Sequence, residues 1–239
     1  MSGRPATMTG GVGGALLGLK QRVADAAHAL FEPLAAACER VGVRADYLTV
    51  LGLVFSFGAA LAFFEGWFRR GAMFAALAGL CDILDGQVAR RVGAVSRFGA
   101  FLDSTLDRFG EALMFVGIAG YYVSTLVDLS LDPTLVASQV SRGLEPRTWA
   151  VVAITAMMAL VGSFMVSYTR ARAEGLDLEC KVGWFERPER LALLIVAGSF
   201  GVGPVMPAAL LILVVVTMVT AAQRVVHVWR QTRAAGGDT

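Results

Sequence analysis

The chain has 239 residues, 56% of them hydrophobic and 17% charged, with a mean hydropathy of +0.64. A soluble domain is nearer about 45–50% apolar and about 25% charged, so this balance excludes an ordinary water-soluble globule and points to lipid. The net charge of +2 is too small to suggest a nucleic-acid partner. Cys38, Cys81 and Cys180 lie too far apart for a zinc pattern or a disulfide framework.

In chain order, the first stretch is MSGRPATMTGGVGGALLGLK. It is Gly-rich and weakly apolar and lacks the three regions of a signal peptide, so it reads as a flexible or interfacial leader. The next, LKQRVADAAHALFEPLAAACERVGV, has apolar positions every three to four residues interrupted by charges. It predicts an amphipathic helix lying on the membrane surface, with Pro33 kinking it or starting a new helix. Six apolar segments follow, at about 47–64, 71–88, 99–124, 149–169, 189–203 and 206–228; a bilayer crossing takes roughly 20 residues. The last two are divided by GPVMP, whose two prolines predict a tight turn. The expected fold is therefore an all-α integral membrane protein: a 1–45 cytoplasmic leader with its amphipathic juxtamembrane helix, a six-helix transmembrane domain over 46–230, and a 231–239 tail.

With the N-terminus inside, most of the 21 lysines and arginines fall in cytoplasmic segments, leaving Arg69, Arg70, Arg142 and Arg147 outside and Arg108 within the third span. The positive-inside bias predicts a multi-pass protein of the cell membrane with both termini cytoplasmic. The connector 125–148 reads as a solvated loop.

Against this background the stretch 81–108, CDILDGQVARRVGAVSRFGAFLDSTLDR, stands out. Asp82 and Asp85 share one helix face at a spacing of three, and Asp103 and Asp107 do so at a spacing of four. Both pairs fall near the cytoplasmic ends of antiparallel neighbours, so four carboxylates converge inside the bundle. Divalent cations would relieve their repulsion, and an all-oxygen donor set favours Mg²⁺ or Mn²⁺ over zinc. Two such ions suit a reaction at phosphorus. Gly86 and Gly99 would let a bulky ligand or a neighbouring helix come close to the backbone. A lone aspartate at a span end is usually a solvated terminal charge, but four at helical spacing mark a functional site.

Asp82-x-x-Asp85-Gly86-x-x-Ala89-Arg90, eight residues, then Gly99-x-x-x-Asp103-x-x-x-Asp107 resembles the signature of the CDP-alcohol phosphotransferase family at every fixed position. The resemblance implies that Asp82, Asp85, Asp103 and Asp107 hold two divalent metals against the pyrophosphate of a CDP-linked donor. It also implies that Asp107 is the general base. Gly86, Ala89, Arg90, Ser96 and Gly99 would contact the donor, with Asp46 and Thr49 lining its cytidine pocket. Ala45 stands where the family often has proline. The implied reaction is attack of an acceptor hydroxyl on the β-phosphorus of CDP-diacylglycerol, releasing CMP, in a homodimer.

The acceptor is addressed by the cations in SYTRARAEG, WFERPERL and AAQRVVHVW. Arg170, Arg172, Arg187, Arg190 and Arg224 would gather at the same face as the metals. Guanidinium groups match phosphate oxygens in pairs, which suggests a phosphorylated alcohol; singly, each is equally a positive-inside anchor. These stretches are similar to the phosphatidylinositol phosphate synthase branch, which implies inositol 1-phosphate, with glycerol 3-phosphate as the alternative. A divalent-cation transporter is the rival from another class; it explains the acids but not Gly86, Ala89 and Arg90 at fixed spacing. His28 and His227 read as interfacial, and Glu111, one turn beyond Asp107, as a partner for Arg108 or for a polar group on another span.

Overall fold

The computed structural model describes residues 12–93, 96–140, 146–180, 182–183 and 185–235. The start of the leader (1–11) and the end of the tail (236–239) lie outside the described residues. Eight helices account for the fold: α1 Val12–Arg40, α2 Ala45–Phe64, α3 Phe68–Arg91, α4 Arg97–Leu131, α5 Pro133–Val140, α6 Pro146–Glu174, α7 Arg187–Ser199 and α8 Val205–Ala235. No strand occurs among the described residues. Helices α2, α3, α4, α6 and α8 are long and apolar enough to cross a membrane.

Six helices pack as a closed ring in the spatial order α2–α3–α7–α8–α6–α4. Alanines are frequent at its centre. Ala59, Ala75, Ala156, Ala159 and Ala197 are wholly buried, whereas Val54, Phe57, Leu61, Ile154 and Met157 face outwards. Lipid tails are as apolar as leucine, so helices in a bilayer associate by close packing, which the small residues permit, while Phe63, Phe115, Ile118 and Leu213 fill the space between them. α2 and α4 cross closely at Gly117, where a Cβ would collide with the backbone carbonyl of Ala60. Gly117→Ala is expected to cost about 1–3 kcal/mol by forcing the helices apart. Gly58→Ala, whose Cβ would rest 3.5 Å from the Phe74 ring, should be neutral. Thermal unfolding in detergent compares the two.

Three elements differ from the sequence-based expectation. Helix α1 runs unbroken through Pro33 and packs on α3, where Ala35, Leu84 and Val88 form a small core. Arg91 at the end of α3 fastens it by ion pairs to Glu32 and, at 2.7 Å, to Glu39. The connector after the third span is largely helical: α4 continues to Leu131, and Asp132 then starts α5 by accepting from the Thr134 amide at 2.9 Å. Residues 141–145 of that connector lie outside the described residues. The fifth apolar segment forms only the 13 residues of α7, about 20 Å at 1.5 Å per residue and shorter than a bilayer core.

The turn between α3 and α4 brings the aspartates of the two helices to one level. α3 stops at Arg91, and Gly93 then adopts a left-handed φ of +65°, the conformation that commonly terminates a helix. Ser96 begins α4 by accepting from the Gly99 amide at 2.9 Å, an ordinary N-cap. α3 and α4 both pack along α2, and Asp82, Asp85 and Asp103 converge from the two helices there.

Candidate active site

Asp82, Asp85 and Asp103 each present a carboxylate oxygen, and the three oxygens lie within 4.8 Å of one another. Asp85 is 6% exposed, and one of its oxygens accepts from the Thr49 hydroxyl at 2.7 Å. Asp103 Oδ1 is buried with no hydrogen-bond partner among the described residues. A buried carboxylate oxygen left without a donor is costly, and a hard cation is the partner its chemistry calls for. The donor set therefore fits a divalent metal. Asp107 lies outside that trio. It shares a small cavity of about 10 Å³ with Thr49, Ser56, Asp82, Asp85 and Arg187.

Arg187 bridges the two helices at this point. Its Nη1 lies 3.0 Å from Asp82 Oδ2 and its Nη2 lies 2.7 Å from Asp107 Oδ1. The ERPER stretch explains how it is held. Glu186 and Glu189 form a reciprocal capping box at the start of α7, with the Glu186 amide donating to Glu189 Oε2 at 2.9 Å. Pro188 occupies the first turn, where its missing N–H costs nothing. The glutamates thus build the helix start while the two arginines point into the bundle.

Two larger cavities flank this point, one lined by Asp85 and Asp103 and the other sharing Arg187. One, of about 290 Å³, is lined by Asp46, Thr49, Gly86, Ala89, Arg90, Ser96 and Gly99 together with Asp85 and Asp103. All seven residues expected around the donor thus face one space, although they come from α2, α3, α4 and the reversal between them. The Arg90 guanidinium lies over Gly86, where a Cβ would sit 3.4 Å from its Nη1. The other cavity, of about 190 Å³, is lined by Arg108, Arg170, Arg187, Arg190 and Arg224, with Ser167 and Glu186.

The five arginines expected around the acceptor behave differently from one another. Arg170 lines the cavity and pairs with Glu174 at 2.9 Å and Glu186 at 3.7 Å. Arg172 is exposed at the end of α6 and is absent from the cavity lining. Two residues apart on a helix is about 200° of rotation, so Arg170 and Arg172 cannot both face inwards. Arg190 is 1% exposed, and Glu111 grips it in two parallel bonds of 2.6 and 2.8 Å. Its charge is satisfied inside the wall. Arg224 is 2% exposed and donates to the backbone carbonyls of Val182, at 2.9 Å, and Val166, tying α8 to α6. His227 contacts Gln231 at 2.9 Å, away from the aspartates. Glu111 thus pairs with Arg190 rather than with Arg108. Arg108 itself donates to the Ser104 carbonyl and lines the basic cavity, a position missed in the sequence. Its signal was there: a lone cation inside an apolar span, next to Asp107.

The sequence profile of the CDP-alcohol phosphatidyltransferase family matches residues 43–232. The chain is 35% identical over 198 residues to the archaetidylinositol phosphate synthase of Methanothermobacter thermautotrophicus, covering 81% of this chain and 87% of that one. It is also 35% identical over 218 residues to the phosphatidylinositol phosphate synthase of Streptomyces avermitilis, covering 87% and 81%. Crystal structures of the Mycobacterium tuberculosis phosphatidylinositol phosphate synthase superpose on this fold at 31% identity. The form with CDP-DAG bound has a TM-score of 0.68 over 82% of this chain and 92% of that one. The form with manganese and citrate has a TM-score of 0.66 over 82% and 88%.

Proposed function

The chain belongs to the CDP-alcohol phosphatidyltransferase family, and from that premise we propose that it transfers a phosphatidyl group from CDP-diacylglycerol to inositol 1-phosphate, releasing CMP. The observation that carries the acceptor is the basic cavity, which shares Arg187 with the pocket of Asp82, Asp85 and Asp107. An alcohol without a phosphate would leave this arginine-lined space without an anion to match it. The relatives lend support: one is named for an archaetidyl and another for a phosphatidyl product, while inositol phosphate is common to both names.

In this reading the donor's cytidine end occupies the cavity of Asp46, Thr49, Gly86, Ala89, Arg90, Ser96 and Gly99, with Arg90 towards the pyrophosphate. Asp82, Asp85, Asp103 and Asp107 would hold two Mg²⁺ or Mn²⁺ ions. Bound divalent metal supplies charge neutralisation of the phosphoryl oxygens and of the departing phosphate. Asp107 accepts the proton of the acceptor hydroxyl, whose oxygen attacks the β-phosphorus as the bond to the CMP oxygen breaks. Arg170, Arg187 and Arg108 orient the acceptor's phosphate, with Arg224 and Arg190 shaping the wall behind them.

Six crossings complete the reading, with α7 the short fifth, and α1 lying in the interface beside the active end. The positive-inside bias puts that end in the cytoplasm. A homodimer is expected from the family resemblance.

The test is CMP release from labelled CDP-diacylglycerol in mixed micelles, with inositol 1-phosphate or glycerol 3-phosphate as acceptor. Wild type should turn over the first and not the second. Arg187→Ala should raise the KM for inositol 1-phosphate about tenfold or more, the loss of one charge-assisted contact. Consumption of glycerol 3-phosphate with no turnover of inositol 1-phosphate would overturn this acceptor.

A further inference from the structure

Arg187 belongs to two sites at once. Its guanidinium spans Asp82 and Asp107 at 3.0 and 2.7 Å, and its side chain also walls the basic cavity. A guanidinium bonded to one oxygen of a carboxylate on α3 and one on α4 competes with a bridging divalent ion for those two oxygens. A divalent ion and a guanidinium drawn to the same two carboxylates repel each other, so each weakens the hold of the other. Asp85 and Asp103 are different. Asp103 Oδ1 has no partner among the described residues, and the only side-chain donor shown for Asp85 is the Thr49 hydroxyl. Asp85 and Asp103 are therefore open to a cation, while Asp82 and Asp107 are bridged by Arg187.

We propose that Arg187 is the counter-cation of the metal-free site, and that loading the aspartates with divalent metal turns its guanidinium out into the acceptor cavity. The proposal rests on the metal-centre reading above and adds an order of events to it. The movement is confined to one side chain. The backbone of Arg187 is fixed by the Glu186–Glu189 capping box, and one turn later Arg190 is locked to Glu111 on α4. Only rotation about the side-chain bonds separates a guanidinium facing Asp107 from one facing Arg170 and Ser167. Metal and acceptor are thereby coupled. A metal-free site withholds Arg187 from an anionic acceptor, and a bound anion that engages Arg187 tightens metal binding by the same factor.

The experiment uses the full chain in detergent. Mn²⁺ binding is measured by calorimetry, and the rate of phenylglyoxal modification of Arg187 is followed by peptide mass spectrometry in EDTA and in saturating Mn²⁺. Modification of Arg187 is expected to rise about tenfold on adding Mn²⁺, an ordinary size for coupling between sites, with exposed Arg172 unchanged. Arg187→Ala should bind Mn²⁺ more tightly than wild type, whereas Arg230→Ala, which removes one exposed charge, should not. Mn²⁺ binding with no rise in Arg187 modification overturns the switch and leaves the metal centre standing. Absence of Mn²⁺ binding in both wild type and Arg187→Ala overturns the metal centre, and the switch with it.

Discussion

Asp107→Asn should reduce CMP release at least about a thousandfold, combining loss of a general base, worth about 10²–10⁴, with loss of a metal-binding charge. The substitution keeps shape and volume. An asparagine oxygen can still accept from Arg187 Nη2, which lies 2.7 Å from Asp107 Oδ1, so α4 and α7 remain tied. What it removes is the ability to take a proton from an acceptor hydroxyl. The check is CMP release at saturating Mn²⁺ and acceptor, beside thermal unfolding in the same detergent. A melting temperature near that of wild type with turnover gone places Asp107 in the chemistry. Near-normal turnover would remove it and leave Asp82, Asp85 and Asp103, which already converge within 4.8 Å, as a sufficient metal site.

The geometry of the aspartates is legible in the sequence because helical periodicity turns spacing into direction. Separations of three and four place side chains on one face, and a short reversal between α3 and α4 brings the two faces together. The same periodicity explains what misleads. Arg170 and Arg172 look alike in the string SYTRARAEG, yet a rotation of about 200° sends one to the cavity and the other to solvent. ERPER reads as a cluster of charges, whereas four of its residues do three different jobs: Glu186 and Glu189 start α7, Arg187 reaches the aspartates, and Arg190 disappears into the wall. The partner of Arg190 cannot be read from spacing, because Glu111 lies 79 residues away. Helix α5 escapes because 8 residues are too few to carry a periodic signal, although Asp132-Pro133-Thr134 is a helix-start pattern. Pro33 suggests a break, but one lost backbone bond is outweighed where packing on α3 and the ion pairs of Arg91 hold the helix.

The second large effect is structural. Glu111→Ala should destabilise the protein by about 3–5 kcal/mol, the usual cost of breaking a buried ion pair and leaving one charge behind. The stranded group is Arg190, 1% exposed, whose other contact is the Phe185 carbonyl at 3.4 Å. Replacing both partners, Glu111→Leu with Arg190→Met, removes the charge as well as the bond and should recover most of the stability. The three variants form a double-mutant cycle, read as denaturation midpoints in detergent. Stability alone does not capture the role of the pair. Arg190 is one turn from Arg187 on α7, and Glu111 is one turn from Asp107 on α4, so this bidentate bond fixes the register that sets Arg187 against Asp107. The apolar double variant should therefore regain its melting temperature while its KM for the acceptor stays high. Recovery of both would make the pair a packing device only, and a Glu111→Ala protein within about 1 kcal/mol of wild type would show that the pair is reached by water.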